Sequence, residues 1–199
     1  FGLRASLEVE KRGFYPTGGG SATLSIAPSH IEPIECVNRG ALEAIRLYSI
    51  ASQDLADAAV ADRQVDGATE RLQDEIVVPI ESETSVVETR STGTVILVVA
   101  VYENTRAGFS ALGEPGWPAE EVGASAAESF LDFQSGTAAF DTNLADQVLP
   151  FLALRGGTMT CPGLTDHLEA ELSVLAAFGY PIGVDHEPDR VRISNPEAR

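Results

Sequence analysis

Between Thr158 and Phe178 an extended pattern passes directly into a helical one, and that junction restricts the possible folds more than any other stretch. Thr158, Thr160 and Cys161 are residue types that strands take up, whereas Leu168, Leu172, Leu175 and Ala176 recur three or four apart, the period of a helix with one buried face. Thr165 predicts the N-cap, because its hydroxyl can accept from a first-turn N–H, and Glu169 favours the same start. Gly179 predicts the end of the helix. Strand feeding helix at such short range implies an α/β or α+β chain. His167 falls in the first turn, where unpaired N–H groups and the helix dipole disfavour an imidazolium and favour an anion. A neutral imidazole beside an anion site is what a histidine nucleophile attacking phosphorus requires. A histidine that merely caps or packs at a helix start has the same local pattern.

Hydrophobic residues make up 44% of the 199 positions, which fits a globular chain. No run reaches the roughly 18 apolar residues of a membrane span, and Val95–Val101 is only strand-length. The start shows no secretory pattern, and Phe1 in place of Met leads us to expect a beginning inside a longer protein. Cys36 and Cys161 are too few for a disulfide scaffold and lack metal-site spacing, which predicts free thiols and a cytoplasmic compartment.

Thirty acidic against 13 basic residues give a net charge of −17, with Lys11 the one lysine. That balance excludes nucleic-acid binding through a diffuse basic surface. Contact with RNA or a nucleotide has to be local, through arginines, helix termini or a divalent cation. Excess acid with almost no lysine fits a salt-adapted cytoplasm, where ions screen self-repulsion. An ordinary acidic composition accounts for it equally.

Leu3 to Arg12 alternates around Leu7 and Val9 and predicts a strand with one buried face. Pro16 and Gly18 to Gly20 impose a turn before a second strand at Ala22–Ala27. Ala41–Ala51 reads as a strand, with a helix as the alternative. Asp54 predicts the cap of a helix that places Leu55, Ala58, Ala59, Val65 and Leu72 on one face. Ile76–Val87 and Thr94–Tyr102 predict strands, the second a continuously buried run. Pro118 opens a helix with Val122, Ala126, Ala127, Phe130 and Leu131 on one side. Strand, helix, two strands and helix make one α/β unit. From Phe140 a further helix carries Leu144, Val148, Phe151, Leu152 and Leu154, with a kink expected at Pro150 and a stop at Gly156 and Gly157. Ile182–Glu187 then pairs with Arg190–Ser194 across Pro188 and Asp189. His30 and His186 are expected at the surface or in turns, while Asp166 and Glu169 either orient the His167 ring or serve as ordinary helix-start acids.

Three stretches together resemble the RNA 3'-terminal phosphate cyclase family. RGFYPTGGG, with Arg12, Gly13, Pro16, Gly18, Gly19 and Gly20, looks like its glycine signature; LADQVLPFLAL is similar to its nucleotide-binding segment; LTDHLEAELSVLAAF resembles the segment with its adenylated histidine. The resemblance implies ATP-dependent conversion of an RNA 3'-phosphate end to a 2',3'-cyclic phosphate, with a divalent metal, Mg or Mn, as second cofactor. It makes His167 the catalytic nucleophile and Asn143, Leu144, Ala145, Asp146 and Gln147 the ATP-binding run. Many relatives have a ring at the position of Asn143, so adenine stacking there is not implied. It further implies a core module of mixed sheet with two helices (residues 1–39 and 138–199), interrupted by a thioredoxin-like α/β insert domain (40–137) that lacks a CxxC motif. Enzymes of the family are longer, so the chain is expected to be a C-terminal portion, completed by an N-terminal portion that could be a separate chain. The alternative is a non-catalytic cyclase-like binding protein of RNA processing or ribosome biogenesis, although such relatives lack the histidine.

Dialysis into low salt separates the two explanations of the charge. A salt-adapted chain is expected to lose its far-ultraviolet circular dichroism as the salt is removed, and an ordinary acidic chain to keep it.

Overall fold

Pairing begins at once. In the computed structural model, which describes residues 1–196, β1 (Ala5–Lys11) and β2 (Ser21–Ile26) form an antiparallel hairpin with Ala5 opposite Ile26. The buried face expected there is not observed: Leu7 is 66% and Leu24 60% exposed. The reason is the partner count, since among the described residues no third strand joins this pair and a lone ribbon leaves both faces open. The glycine loop turns with Gly18 and Gly19 at positive φ, which glycine adopts without steric cost. It rests on residues 90–93: the Thr17 N–H donates to Ser91 Oγ at 3.0 Å, and a Cβ on Gly93 would come within 2.3 Å of the Phe14 ring.

After β3 (Ile34–Cys36) the chain enters a second sheet at β4 (Leu42–Ser52). The single helix expected from Asp54 onward is two pieces, a 3-10 helix (Gln53–Ala58) and α1 (Val60–Leu72), broken where Ala59 takes a left-handed conformation with φ 49°. Strands β5 (Ile80–Val87), β6 (Thr94–Tyr102) and β7 (Arg106–Leu112) follow, then α2 (Ala119–Ser135). The sheet order is β5-β4-β6-β7, with β4 parallel to β5 and the other neighbours antiparallel. β7 was not expected, because RAGFSAL alternates too weakly to announce a strand. β6 is not buried on both faces: Ile96, Val98 and Ala100 are inaccessible, while Val95, Leu97 and Val99 are only half-buried. Both helices lie against the inaccessible face, where Phe130, Val122 and Leu72 complete the core. They cross closely at Gly67 and Gly123, where a Cβ would stand 2.1 Å from the Glu120 carbonyl oxygen and 1.9 Å from that of Gln64.

The remaining elements are α3 (Thr142–Arg155), β8 (Gly157–Cys161), α4 (Asp166–Ala177), β9 (Gly183–His186) and β10 (Val191–Asn195). Their sheet runs β3-β8-β10-β9, with β3 parallel to β8 across more than 120 residues of sequence and the other pairs antiparallel. The expected pairing across Pro188 and Asp189 is present, with His186 opposite Val191. A second hydrophobic core forms here from Ile34, Phe140, Leu149, Leu152, Met159, Leu168 and Ile193. Gly156 stops α3 at φ 76°, and Gly157 passes Ile34 so tightly that a Cβ would lie 2.2 Å from its carbonyl oxygen. Both cysteines are free and buried. Among the described residues no helix is long and apolar enough to cross a membrane.

The two cores meet at Arg39, which is 8% exposed. Its Nη1 donates to the carbonyls of Phe133 and Ala138 at 3.0 and 3.3 Å, and its Nη2 to those of Gln134 and Gly136 at 2.8 and 2.6 Å. The guanidinium also stands 4.7 Å from the Phe133 ring centroid and 5.1 Å from that of Tyr102. One cation thus closes the C-terminal end of α2, where the helix dipole favours positive charge, and binds the segment leaving β3 to the segment that returns after α2. Arg39→Leu is expected to lower the unfolding free energy by about 3–4 kcal/mol, roughly 1 kcal/mol for each carbonyl left without its partner. Urea denaturation followed by circular dichroism measures it.

Candidate functional site

Placement of His167 follows from its neighbour. Leu168 is 1% exposed and fixes the rotation of α4, so His167, one residue earlier, faces outward and is exposed. Thr165 is the cap the sequence predicts, its hydroxyl accepting from the Leu168 N–H at 3.1 Å. The first turn carries Asp166 and Glu169, both exposed. Both acids place negative charge at the positive end of the helix dipole. Glu171, four residues beyond His167 and therefore on the same side of α4, is half-buried.

α3 brings the other predicted residues. Asp141, 4% exposed, caps the helix by accepting from the Leu144 N–H at 2.8 Å, and its second oxygen accepts from the Gly108 N–H of β7 at 3.1 Å. Of the run that follows, Asn143 and Gln147 are exposed on one face, Leu144 and Asp146 are half-buried, and Ala145 is buried in the core. The structure joins Asp146 to the head of α4: the Thr165 hydroxyl donates to Asp146 Oδ1 at 3.3 Å. Pro150 lies inside α3 as expected, and having no N–H it offers nothing to the Asp146 carbonyl four residues back. Asn143 instead borders a cavity of about 450 Å³ that Thr142 and Pro162 share with Gly108, Phe109 and Phe133. The glycine signature packs elsewhere, against residues 90–93. His30 is exposed beside Arg155, and His186 is exposed on β9.

Electrostatics set the protonation states around Asp146. Burial pushes the Cys161 thiol up to about 11, with the Asp146 charge adding to the rise, so the sulfur is a neutral wall and no nucleophile. Glu171 is also raised above the ordinary glutamate value of 4.5, first by burial and then by the charge of Asp146. The two carboxylates therefore lie near enough for the charge of one to disfavour ionisation of the other. Glu171 and Asp141 escaped sequence reasoning, yet both left a signal: the i, i+4 spacing from His167, and an acid three residues before Leu144 at a helix start.

The family model described as RNA 3'-terminal phosphate cyclase (RTC), insert domain, matches residues 37–135. A protein of Halobacterium salinarum described as RNA 3'-terminal phosphate cyclase is 41% identical over 188 residues, covering 94% of this chain and 53% of the relative. Proteins with the same description from Thermococcus gammatolerans and Pseudomonas fluorescens are 36% identical over 178 residues and 33% over 190. They are matched over 51% and 54% of their lengths. The chain spans about half the length of the curated relatives it matches.

Because folding raises the Glu171 pKa, the folded state favours its neutral form. The associated stability is fully present below about 4.5 and is lost as pH rises through the raised value. Glu171→Gln, which stays neutral, is expected to melt above the parent chain at pH 7 and together with it at pH 4. Thermal denaturation at the two pH values checks this.

Proposed function

The chain belongs to the RNA 3'-terminal phosphate cyclase family, and we propose that it supplies the adenylate-accepting part of such an enzyme. A ring nitrogen of His167 attacks the α-phosphorus of ATP and pyrophosphate leaves, giving a histidine-AMP phosphoramidate. A phosphate oxygen of the RNA 3'-terminal phosphate then attacks that phosphorus, the P–N bond breaks and the imidazole is released. The neighbouring ribose 2'-hydroxyl attacks the activated RNA phosphorus, its proton passes to solvent or a base, and AMP departs with closure of the 2',3'-cyclic phosphate. The sequence is chemically economical because a phosphate monoester oxygen leaves poorly, whereas AMP leaves well.

The observation that carries this reading is the Thr165 to Asp146 hydrogen bond. It sets the run Asn143 to Gln147 against the first turn of α4, so that a nucleotide held by α3 would present its phosphates to His167 and to the helix N-terminus. Asn143 and Gln147, exposed one turn apart, are the groups that would meet adenosine, and the cavity beside Asn143 has room for it. Among the described residues no three His, Cys, Asp or Glu side chains converge as a metal cage. A divalent Mg or Mn ion would therefore arrive with the triphosphate, as nucleotide-bound Mg ordinarily does, to neutralise its charge.

On this reading residues 40–137 are the thioredoxin-like insert, the enzyme works in the cytoplasm, and the RNA-phosphate pocket is completed by a portion the relatives possess in their other half, in the same polypeptide or a separate chain. With that portion supplied, ATP labelled in its α-phosphate and a divalent metal are expected to leave an acid-labile label on the chain, and His167→Ala to leave none. Label that survives His167→Ala overturns the mechanism. Absence of label on the parent chain turns the assignment to the non-catalytic cyclase-like binding protein.

A further inference from the structure

The open hairpin of β1 and β2 is sorted into an apolar and a polar face. Its register sets Ala5 opposite Ile26, Leu7 opposite Leu24 and Val9 opposite Ala22, and because side chains alternate along a strand, these residues share one face. The other face has Ser6 opposite Ser25 and Glu8 opposite Thr23. Such sorting is the pattern of a sheet packed on a core. Here the apolar face is uncovered throughout, with Ile26 62% and Val9 46% exposed in addition to Leu7 and Leu24. A contiguous apolar surface of this kind marks an interaction site, and a two-stranded ribbon by itself is barely stable in water.

The chain contains a second hairpin that shows what covers such a face. β9 and β10 also pair antiparallel, but β8 continues the sheet beside β10. The core formed with α3 and α4 takes in Val191 and Ile193, which are buried. One further strand and a helical layer make the difference between the two hairpins.

The free edges of the first hairpin are unlike. β1 carries Glu8, Glu10 and Lys11, whereas β2, with the sequence SATLSI, has no charged residue. Exposed edges are ordinarily blunted by charge, since a bare row of N–H and C=O groups recruits another strand. β1 has the charges of an outer edge, and β2 lacks them. The curated relatives are matched over only about half of their length, and a polypeptide the size of the unmatched half has room for strands and helices of its own.

We propose that β2 is an inner strand of a sheet completed by that other half of the relatives: one of its strands adds along the free edge of β2, and its apolar side chains cover Leu7, Val9, Leu24 and Ile26. The proposal takes its partner from the family and owes nothing to the chemistry of His167. The unmatched half of the Halobacterium salinarum protein, co-expressed with this chain, is expected to purify with it as a single complex. Alternate amides of β2 already donate to β1, so the signature of a strand on the free edge is slowed hydrogen exchange at the remaining β2 amides, by at least roughly tenfold. The outward amides of β1 are expected to stay fast. Leu7→Asp combined with Leu24→Asp should weaken the association at least roughly a hundredfold with unchanged circular dichroism, and Glu8→Gln on the polar face should leave it as it was. His167→Ala is expected to associate like the parent chain, so that failure of docking and failure of adenylation are read separately. No co-purification, association untouched by the two aspartates, β2 amides that stay fast in the complex, or self-association of this chain alone through the same leucines would each overturn the proposal.

Discussion

A buried guanidinium holds the two halves of this fold in register. Arg39 sits where the chain leaves the β3-β8-β10-β9 core and meets the segment by which it returns, and its four carbonyl bonds bridge positions 94 to 99 residues apart. Its charge is answered by carbonyl dipoles at the end of α2 and by two aromatic faces. Lysine could not reproduce this, because a single ammonium lacks the planar fork that reaches four acceptors at once. The joint determines where β7 and α2 lie relative to α3, and hence the wall that Phe109 and Phe133 contribute beside Asn143.

Two aspartates extend the coupling from that joint to the histidine. Asp141 divides its carboxylate between the head of α3 and the backbone of β7, so insert and core share one acceptor. Asp146 binds the cap of α4. A displacement of β7 would therefore pass through Asp141 to the head of α3, along that helix to Asp146, and through the Thr165 hydroxyl to the first turn of α4, where His167 lies. Such a chain explains how a site built on two helices can keep its geometry although α4 itself has a single fully buried side chain.

Regular periodicity made most of the elements legible. The helical spacing after Thr165, the apolar face of Val122 to Leu131 and the glycine stop after α3 all have local causes, and the structure places them as read. What escaped depends on information beyond the local window. The exposure of Leu7 and Leu24 reflects the number of strands paired with theirs, which alternation does not encode. The break at Ala59 interrupts a pattern that composition alone would continue. β7 is held by its pairing with β6 more than by RAGFSAL itself, and Arg39 looks in sequence like any surface arginine. At the site, the junction carrying His167 and the LADQ run were visible, while the partner that links them, Thr165 to Asp146, and the carboxylate Glu171 required the fold. The assignment of chemistry came from resemblance, since a histidine at a helix start has many other uses.

The parallel pairing of β3 with β8 bears on how the chain folds. Those strands belong to one sheet but lie more than 120 residues apart, and closing so long a loop in an unfolded chain is entropically costly and slow. The intervening segment, however, has a contiguous hydrophobic core of its own. Once that unit has formed, its two ends already lie together, and Arg39 pins them. The effective loop then shrinks to the few residues between β3 and Arg39 on one side and the segment between Gly136 and β8, most of it the helix α3, on the other. The insert thus acts as a folding scaffold for its host, converting a distant strand pairing into a nearly local one.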